Sequence, residues 1–171
     1  MALKMEGRFH PYSYPLETIN RAIFIFNDAL DKALIEPIAK VYSSLPKSAR
    51  TAVRNFLRNL ETPVILANNL LQADLEAAQV TTIRFTVNTT IGMLGLFDPA
   101  EKMGLPRRDE DFGQTLGTYG FGPGIYLVLP LLGPSTTRDI IGLGVDQFLD
   151  PLQYVARNTD TNWTAPSRTA V

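Results

Sequence analysis

The chain has 171 residues, enough for one domain or slightly more, and its net charge of −1 favours neither nucleic acid nor an anionic substrate. Charged residues make up 19% of it, below the roughly 25% usual for soluble domains, so the chain is short of charge for a protein living wholly in water. Without cysteine, and with His10 as its single histidine, it has no disulfide, no thiolate nucleophile, no histidine-based triad and no ordinary zinc or other clustered metal site.

Residues 1–14 read as a flexible N-terminus with no apolar signal core and no cleavage site behind one. A helix is expected from Leu16 to Leu34, where Leu16, Ile19, Ile23, Phe26, Leu30 and Leu34 recur at a helical period. Pro37 opens a short helix to Tyr42, and Pro46 sits in the first turn of the next, which runs to Leu60. Thr62 before Pro63 reads as an N-cap and first-turn proline starting another helix to Leu71. Leu75 to Ile91 forms a longer helix, and Asp98-Pro99-Ala100-Glu101 is a capping-box pattern. Glu110 to Leu116 is helical, Ser135 caps a helix to Phe148, and Asp150 before Pro151 starts a last one. No alternating pattern of useful length marks a strand. The expected fold class is therefore all-α, a ring or saddle of short amphipathic helices over residues 15–155 with a Gly/Pro-rich loop segment. The polar tail 156–171 reads as disordered or truncated.

Three stripes qualify this outline. Between Pro46 and Leu60, Ala49, Ala52, Val53, Phe56, Leu57 and Leu60 oppose Lys47, Arg50, Arg54 and Arg58. Such a helix either packs on its own core or lies at an interface where its basic face meets anionic lipid or a partner. In Leu75–Ile91 apolar residues surround most of the helix, which implies burial on nearly all sides by protein or lipid, and Thr81, Arg84 and Asn88 form one narrow polar stripe. Asn20, Asn27 and Asp31 form a similar stripe on the first helix. The two stripes are expected to face a shared polar cavity. The competing reading has Arg84 satisfying helix-end carbonyls or a carboxylate such as Asp98 or Asp111.

From Phe112 to Thr137 no residue is charged, and Gly117, Gly120, Gly122, Gly124, Pro130 and Gly133 interrupt the run. A plain spanning helix is excluded, because each interior glycine costs about 1 kcal/mol and each proline about 3 relative to alanine. Such a segment suits contact with hydrocarbon without crossing it. Arg138 and Asp139 are the first charges after the run, and Asp146 follows Asp139 two turns on. No nucleophile elbow, P-loop or His-Glu-x-x-His motif is present, and the glycines at 120, 122 and 124 follow no strand of a βαβ unit. An enzyme is not expected, and no cofactor is implied.

One ordered set of motifs is more specific than any of its parts. It comprises Pro15-Leu16-Glu17 with Asn20-Arg21 and Asn27, then Asn59-Leu60-Glu61 with Pro63, Arg84-Phe85 with Asn88-Thr89, and Gly95-Leu96-Phe97-Asp98. Phe112-Gly113-Gln114-Thr115-Leu116-Gly117 with Tyr119-Gly120 follows, then the run Tyr126 to Ser135 and Arg138-Asp139. In these the chain resembles the MlaA/VacJ family of outer-membrane lipoproteins over roughly Pro15 to Val155. The resemblance implies a helical ring in the inner leaflet of the outer membrane, on its periplasmic side, with a polar channel and a bound trimeric porin. It implies transfer of mislocalised outer-leaflet phospholipid to a soluble periplasmic carrier, which keeps the membrane asymmetric, and no nucleic-acid partner. Asn20, Asn27, Thr81, Arg84, Asn88, Arg138, Asp139 and Asp146 are then expected at the channel, and the Gly117–Pro134 segment is expected to gate it. The family's acylated cysteine, its signal peptide and its further C-terminal helices have no counterpart here, and Tyr14 stands where the family often has aspartate. The alternative is a peripheral helical interaction protein without a lipid channel.

Overall fold

The computed structural model describes residues Leu16–Pro151 and Gln153. The expected last helix at Asp150-Pro151 lies mostly outside these residues, as do segments 1–14 and 156–171. Helix α1 spans Glu17–Leu30 and passes through a π-helical stretch, Asp31–Ile35, into α2, Glu36–Ser43. The helices expected on either side of Pro37 are therefore one continuous arm. Pro37 has no N–H to give the carbonyl four residues back, and the wider π turn carries the chain past that point without ending it.

Helix α3, Lys47–Leu71, replaces two expected helices and contains Pro63 within it. Thr62 is not an N-cap: its hydroxyl donates to the Arg58 carbonyl at 3.0 Å. An interior proline costs about 3 kcal/mol. The helix tolerates it because Asn59, Thr62, Ile65, Asn68 and Asn69 are all buried along the length that a break would divide. Pro46 stands just before the helix as its N-cap residue rather than in its first turn.

Helix α4, Leu75–Thr90, begins at Asp74, whose carboxylate accepts from Ala77 N at 2.9 Å. It packs on α3. Asp98 caps the short α5, Pro99–Lys102, as its sequence predicts. Asp111 caps α6, Phe112–Thr118, through Gln114 N at 2.7 Å.

The uncharged run then departs from an all-loop reading. Strands β1, Tyr126–Leu129, and β2, Gly133–Thr136, form an antiparallel hairpin pairing Tyr126 with Thr136 and Leu129 with Gly133. Pro130, Leu131 and Leu132 turn it, with Leu131 at φ 69° and Leu132 N bonded to Pro130 O at 2.9 Å. That i-to-i+2 bond at positive φ is the strained form of γ-turn. Ser135 lies in β2, and Thr136 is the residue that caps α7, Thr137–Leu149, accepting from Asp139 N. Helices α6 and α7 meet where Gly142 lies against Gly113, so closely that a Cβ on Gly142 would stand 2.4 Å from Gly113 N. Apart from this small hairpin the regular structure among the described residues is helical, in keeping with the expected class.

Burial runs opposite to that of a water-soluble domain. Among the described residues the buried apolar side chains are Ile65, Ala77, Ala78, Ala100 and Val128. Buried polar ones are more numerous: Asn20, Asn59, Thr62, Asn68, Asn69, Thr81, Arg84, Asn88 and Thr115. Large apolar side chains face outward on every long element, among them Phe24, Ile25, Val41, Leu75, Ile91, Phe97, Leu131 and Phe148. Helix α4 shows the inversion most plainly, because Leu75 is 71% exposed while Arg84 is 7% exposed. The expected burial of α4 on nearly all sides is not met by protein. Among the described residues no helix is long and apolar enough to cross a membrane.

Candidate functional site

An open cavity of about 1460 Å³ lies between α3, the segment before α6, and α7. Its α3 wall carries Lys47, Arg50, Arg54 and Arg58, the basic stripe of the sequence. Val53, Leu57 and Val64 lie beside that stripe, and Leu143 contributes from α7. Asp109, Glu110, Asp111, Asp146 and Asp150 form the acidic part of the lining. The cavity thus joins a basic strip, an acidic strip and aliphatic surface.

Polar contacts brace its walls. Asn68 donates to Asp146 Oδ1 at 2.8 Å and accepts from the Thr115 hydroxyl at 2.9 Å. Gln72 donates to Glu110 at 3.1 Å and to Thr115 at 3.1 Å. Phe112 N also donates to the Asp146 carboxylate, at 3.1 Å. One amide network therefore ties α3, α6 and α7 together. Arg107 also lines it, bonded to Glu61 at 2.7 Å and paired with Asp109. Lys47, Arg50, Arg54 and Arg58 have no ion-pair partner among the described residues, and Arg50 Nε is buried without a hydrogen-bond acceptor.

Of the channel residues expected from sequence, Asp146 lines this cavity and the others sit elsewhere. Arg84 donates to Asp98 at 2.7 Å and also to the Leu105 carbonyl. Asn88 donates to Asp98 at 3.0 Å and accepts from Ala100 N at 3.2 Å. Thr81 accepts from Asn69 at 2.9 Å. Burial pushes the Asp98 carboxyl up, but the hydrogen bonds from Asn88, Arg84 and Glu101 N, with the Arg84 charge, hold it below its ordinary value. Arg84 and Asn88 thus clamp the segment 98–105, the competing reading of Arg84, while Thr81 ties α4 to α3. Thr81 and Arg84 do border a second, far smaller space with Thr62, Ile65, Arg107 and Arg108.

Asn20 and Asn27 sit on α1 against the hairpin. Asn20 donates to Tyr126 O and accepts from Val128 N, while Asn27 donates to Leu129 O and accepts from Leu131 N. Neither of the two cavities described is lined by Asn20 or Asn27. Asp139 accepts from the Thr136 hydroxyl at 2.7 Å, and Arg138 reaches Asp139 and the Phe121 carbonyl at 3.4 Å each. This pair fastens the base of the hairpin. Gly117 lies 3.0 Å, measured from a Cβ placed on it, from the Arg138 guanidinium, whereas Gly120, Gly122 and Gly133 have open space around them. Gly120, Gly124 and Gly133 take positive φ. Pro130 begins the exposed hairpin tip.

Sequence reasoning quoted Asn59 and Thr115 only within motifs and passed over Asn68, Asn69 and Gln72, which together carry the buried polar contacts. A signal existed: asparagine is a weak helix former, and four of them stand inside one long helix.

The MlaA lipoprotein family model matches residues 13–171. An uncharacterized protein of Rickettsia conorii is 38% identical over 146 residues, covering 84% of this chain and 58% of that protein. The intermembrane phospholipid transport system lipoprotein MlaA of Escherichia coli is 40% identical over 149 residues, covering 84% of this chain and 59% of its own length. A solved structure described as "Structural basis for maintenance of bacterial outer membrane lipid asymmetry" superposes with a TM-score of 0.73 at 38% identity. That match covers 83% of this chain and 74% of the solved one. The chain thus spans less than two thirds of the curated relatives it matches.

Proposed function

Because the chain belongs to the MlaA lipoprotein family, we propose that it is a lipid-conducting module of the outer membrane, seated at the periplasmic face. It removes phospholipid mislocalised in the outer leaflet and passes it to a soluble periplasmic carrier, beside a trimeric porin, and so maintains lipid asymmetry. The observation that carries this reading is the inverted distribution of burial. Amides and hydroxyls fill the interior while phenylalanine, leucine and isoleucine side chains cover the outside. In water this arrangement is costly, since exposed apolar surface forfeits about 25 cal/mol per Å². In a leaflet it is favourable, because acyl chains cover the outside and the headgroup stays in the polar cavity.

In this reading the lipid path follows the large cavity, with Asp146 on its wall. Arg138 and Asp139 hold the hairpin, and the segment with Gly117, Gly120, Gly122, Gly124, Pro130 and Gly133 opens and closes the path. Asn20 and Asn27 set the hairpin's closed position, and Thr81, Arg84 and Asn88 keep α4 and the segment 98–105 rigid beside it. Cells lacking their own protein of this family and supplied with this chain should recover low outer-leaflet phospholipid, measured by labelling of intact cells. Unchanged outer-leaflet phospholipid, with the protein present in the membrane, overturns the reading. A monodisperse monomer that needs no detergent favours a peripheral interaction protein instead.

A further inference from the structure

The first half of α3 gathers positive charge that the protein itself does not answer. From Lys47 to Leu60 the helix carries Lys47, Arg50, Arg54 and Arg58 and no acidic residue. The four fall within an arc of about 80°, and successive arginines stand about 6 Å apart along the axis. Like charges at this spacing repel one another. The helix also starts without a side-chain cap and without an acid in its first turn, so the positive end of its dipole adds to the field of the stripe.

None of the four has an ion-pair partner among the described residues, and the neighbouring carboxylates are engaged elsewhere. Glu61, the first acid to follow on the helix, is bonded to Arg107, which also pairs with Asp109. Glu110 and Asp146 are bonded to Gln72 and Asn68, about 15 Å or more beyond Arg58 along the axis. Arg50 Nε is buried with no acceptor. Leaving such a donor unmet is costly, and an acceptor entering the cavity removes that cost.

A second row lies beside the charged one. Val53, Leu57 and Leu60 run along α3 about a quarter turn from the stripe and line the same cavity. Val53 is 42% exposed and Leu57 53%, so aliphatic surface next to the cations is left uncovered. The ligand that answers both rows is an anion on an aliphatic tail. Guanidinium forks engage phosphate oxygens in pairs, which single point charges do not.

We propose that Lys47, Arg50, Arg54 and Arg58 bind the phosphate of a lipid headgroup, with its acyl chain along Val53, Leu57 and Leu60, and that this site favours headgroups of net negative charge over zwitterionic ones. This rests on the phospholipid reading above and names the substrate class within it. A zwitterionic headgroup offers the same phosphate, but its ammonium is tethered beside that phosphate and is repelled by the surrounding cations. Free phosphate satisfies the arginines and leaves the aliphatic row bare.

The test is titration calorimetry of the full chain in nonionic detergent micelles with dihexanoyl phosphatidylglycerol, dihexanoyl phosphatidylcholine and inorganic phosphate. The glycerol lipid should bind about tenfold more tightly than the choline lipid, and phosphate more weakly than the glycerol lipid. Arg50→Gln with Arg54→Gln should weaken the glycerol lipid about tenfold or more and bring the two lipids close to equality. Lys102→Gln removes an exposed cation outside the cavity and should change neither. A helical spectrum equal to that of the parent protein confirms that each variant is folded. Arg54 is exposed, so Arg54→Gln alone should keep the fold and still weaken the glycerol lipid about threefold or more. Glycerol-lipid binding that survives the double change, or equal affinity for the two lipids in the unaltered chain, overturns this inference and leaves the transport reading standing. Phosphate binding as tight as that of the glycerol lipid shows a free-anion site and also overturns it. Absence of binding by either lipid overturns the phospholipid reading as well.

Discussion

Asn20 and Asn27 lie two turns apart on α1, and each holds the free edge of β1 with both atoms of its side-chain amide. The spacing is a match of two periods. Seven helical residues advance about 10.5 Å and three strand residues about 10 Å, which sets Asn20 at Val128 and Asn27 at Leu131. A pair of side chains here does the work of a neighbouring strand, and it covers an edge that would otherwise be open to another chain.

Asn20→Ala leaves the Val128 N–H buried without its acceptor, at a cost of about 1–3 kcal/mol. Asn27→Ala should cost less, because the bond at Leu131 is exposed to solvent. Hydrogen exchange at Val128 and Leu131 checks both. Each amide should exchange faster in the variant that lacks its acceptor, and unchanged rates would show that β2 alone holds the hairpin.

Asp98 joins Arg84, Asn88 and the start of α5, so its loss leaves a buried guanidinium unpaired. Asp98→Asn should destabilise the fold by about 3–5 kcal/mol. The carboxyl is held below its ordinary value of 3.8, so its contribution is complete above that value and fades as pH falls through the lower folded-state value. Stability of the parent chain should therefore drop below about pH 4. The variant should lose that acid-dependent portion, as chemical unfolding across pH can measure.

Three glycines separate contact from backbone strain. Gly142→Ala drives a Cβ to 2.4 Å from Gly113 N and should cost about 1–3 kcal/mol by forcing α6 from α7. Gly120→Ala meets nothing but carries φ at +88°, a strain of about 1–2 kcal/mol. Gly122→Ala has open space and no such φ, and should stay within about 0.5 kcal/mol of the parent. Thermal unfolding of the three variants in one detergent gives the order.

Phe24 and Ile25 are exposed on the arm, and replacing both with lysine should leave the helical spectrum intact. Vesicle association should fall by more than about 100-fold, since each of the two large apolar side chains contributes about 1.5–3 kcal/mol when covered. Sedimentation with phospholipid vesicles measures it. Equal sedimentation of the double variant would place the arm away from lipid.

Local signals made much of this fold legible. Asp98 caps the helix that follows it, α6 starts two residues after its expected start at Glu110, and α4 begins and ends close to where its pattern does. Thr62-Pro63 misled because a strong local start signal competed with burial on both sides of it. The hairpin left little trace because its strands are four residues long and only Val128 is buried, so no alternation develops. The common face of Thr81, Arg84 and Asn88 was readable from spacing. Asp98 stood among the partners the sequence offered Arg84, whereas Asn69 for Thr81 and Ala100 N for Asn88 were not legible, because they reach that face only through the folding of the chain. For the same reason the basic stripe of α3 gave no hint of the acidic residues that α7 and the segment before α6 bring to the same cavity.

The amide-rich interior also fixes how this protein responds to temperature and denaturant in water. Heat capacity rises on unfolding when apolar surface is newly wetted and falls when polar surface is. Here much of the apolar surface is already outside, while asparagine and threonine side chains are what unfolding uncovers. The heat-capacity increment should lie well below the usual 12–15 cal/mol/K per residue, roughly, for globular chains. A flat stability curve and a shallow urea dependence then follow from composition of the interior alone.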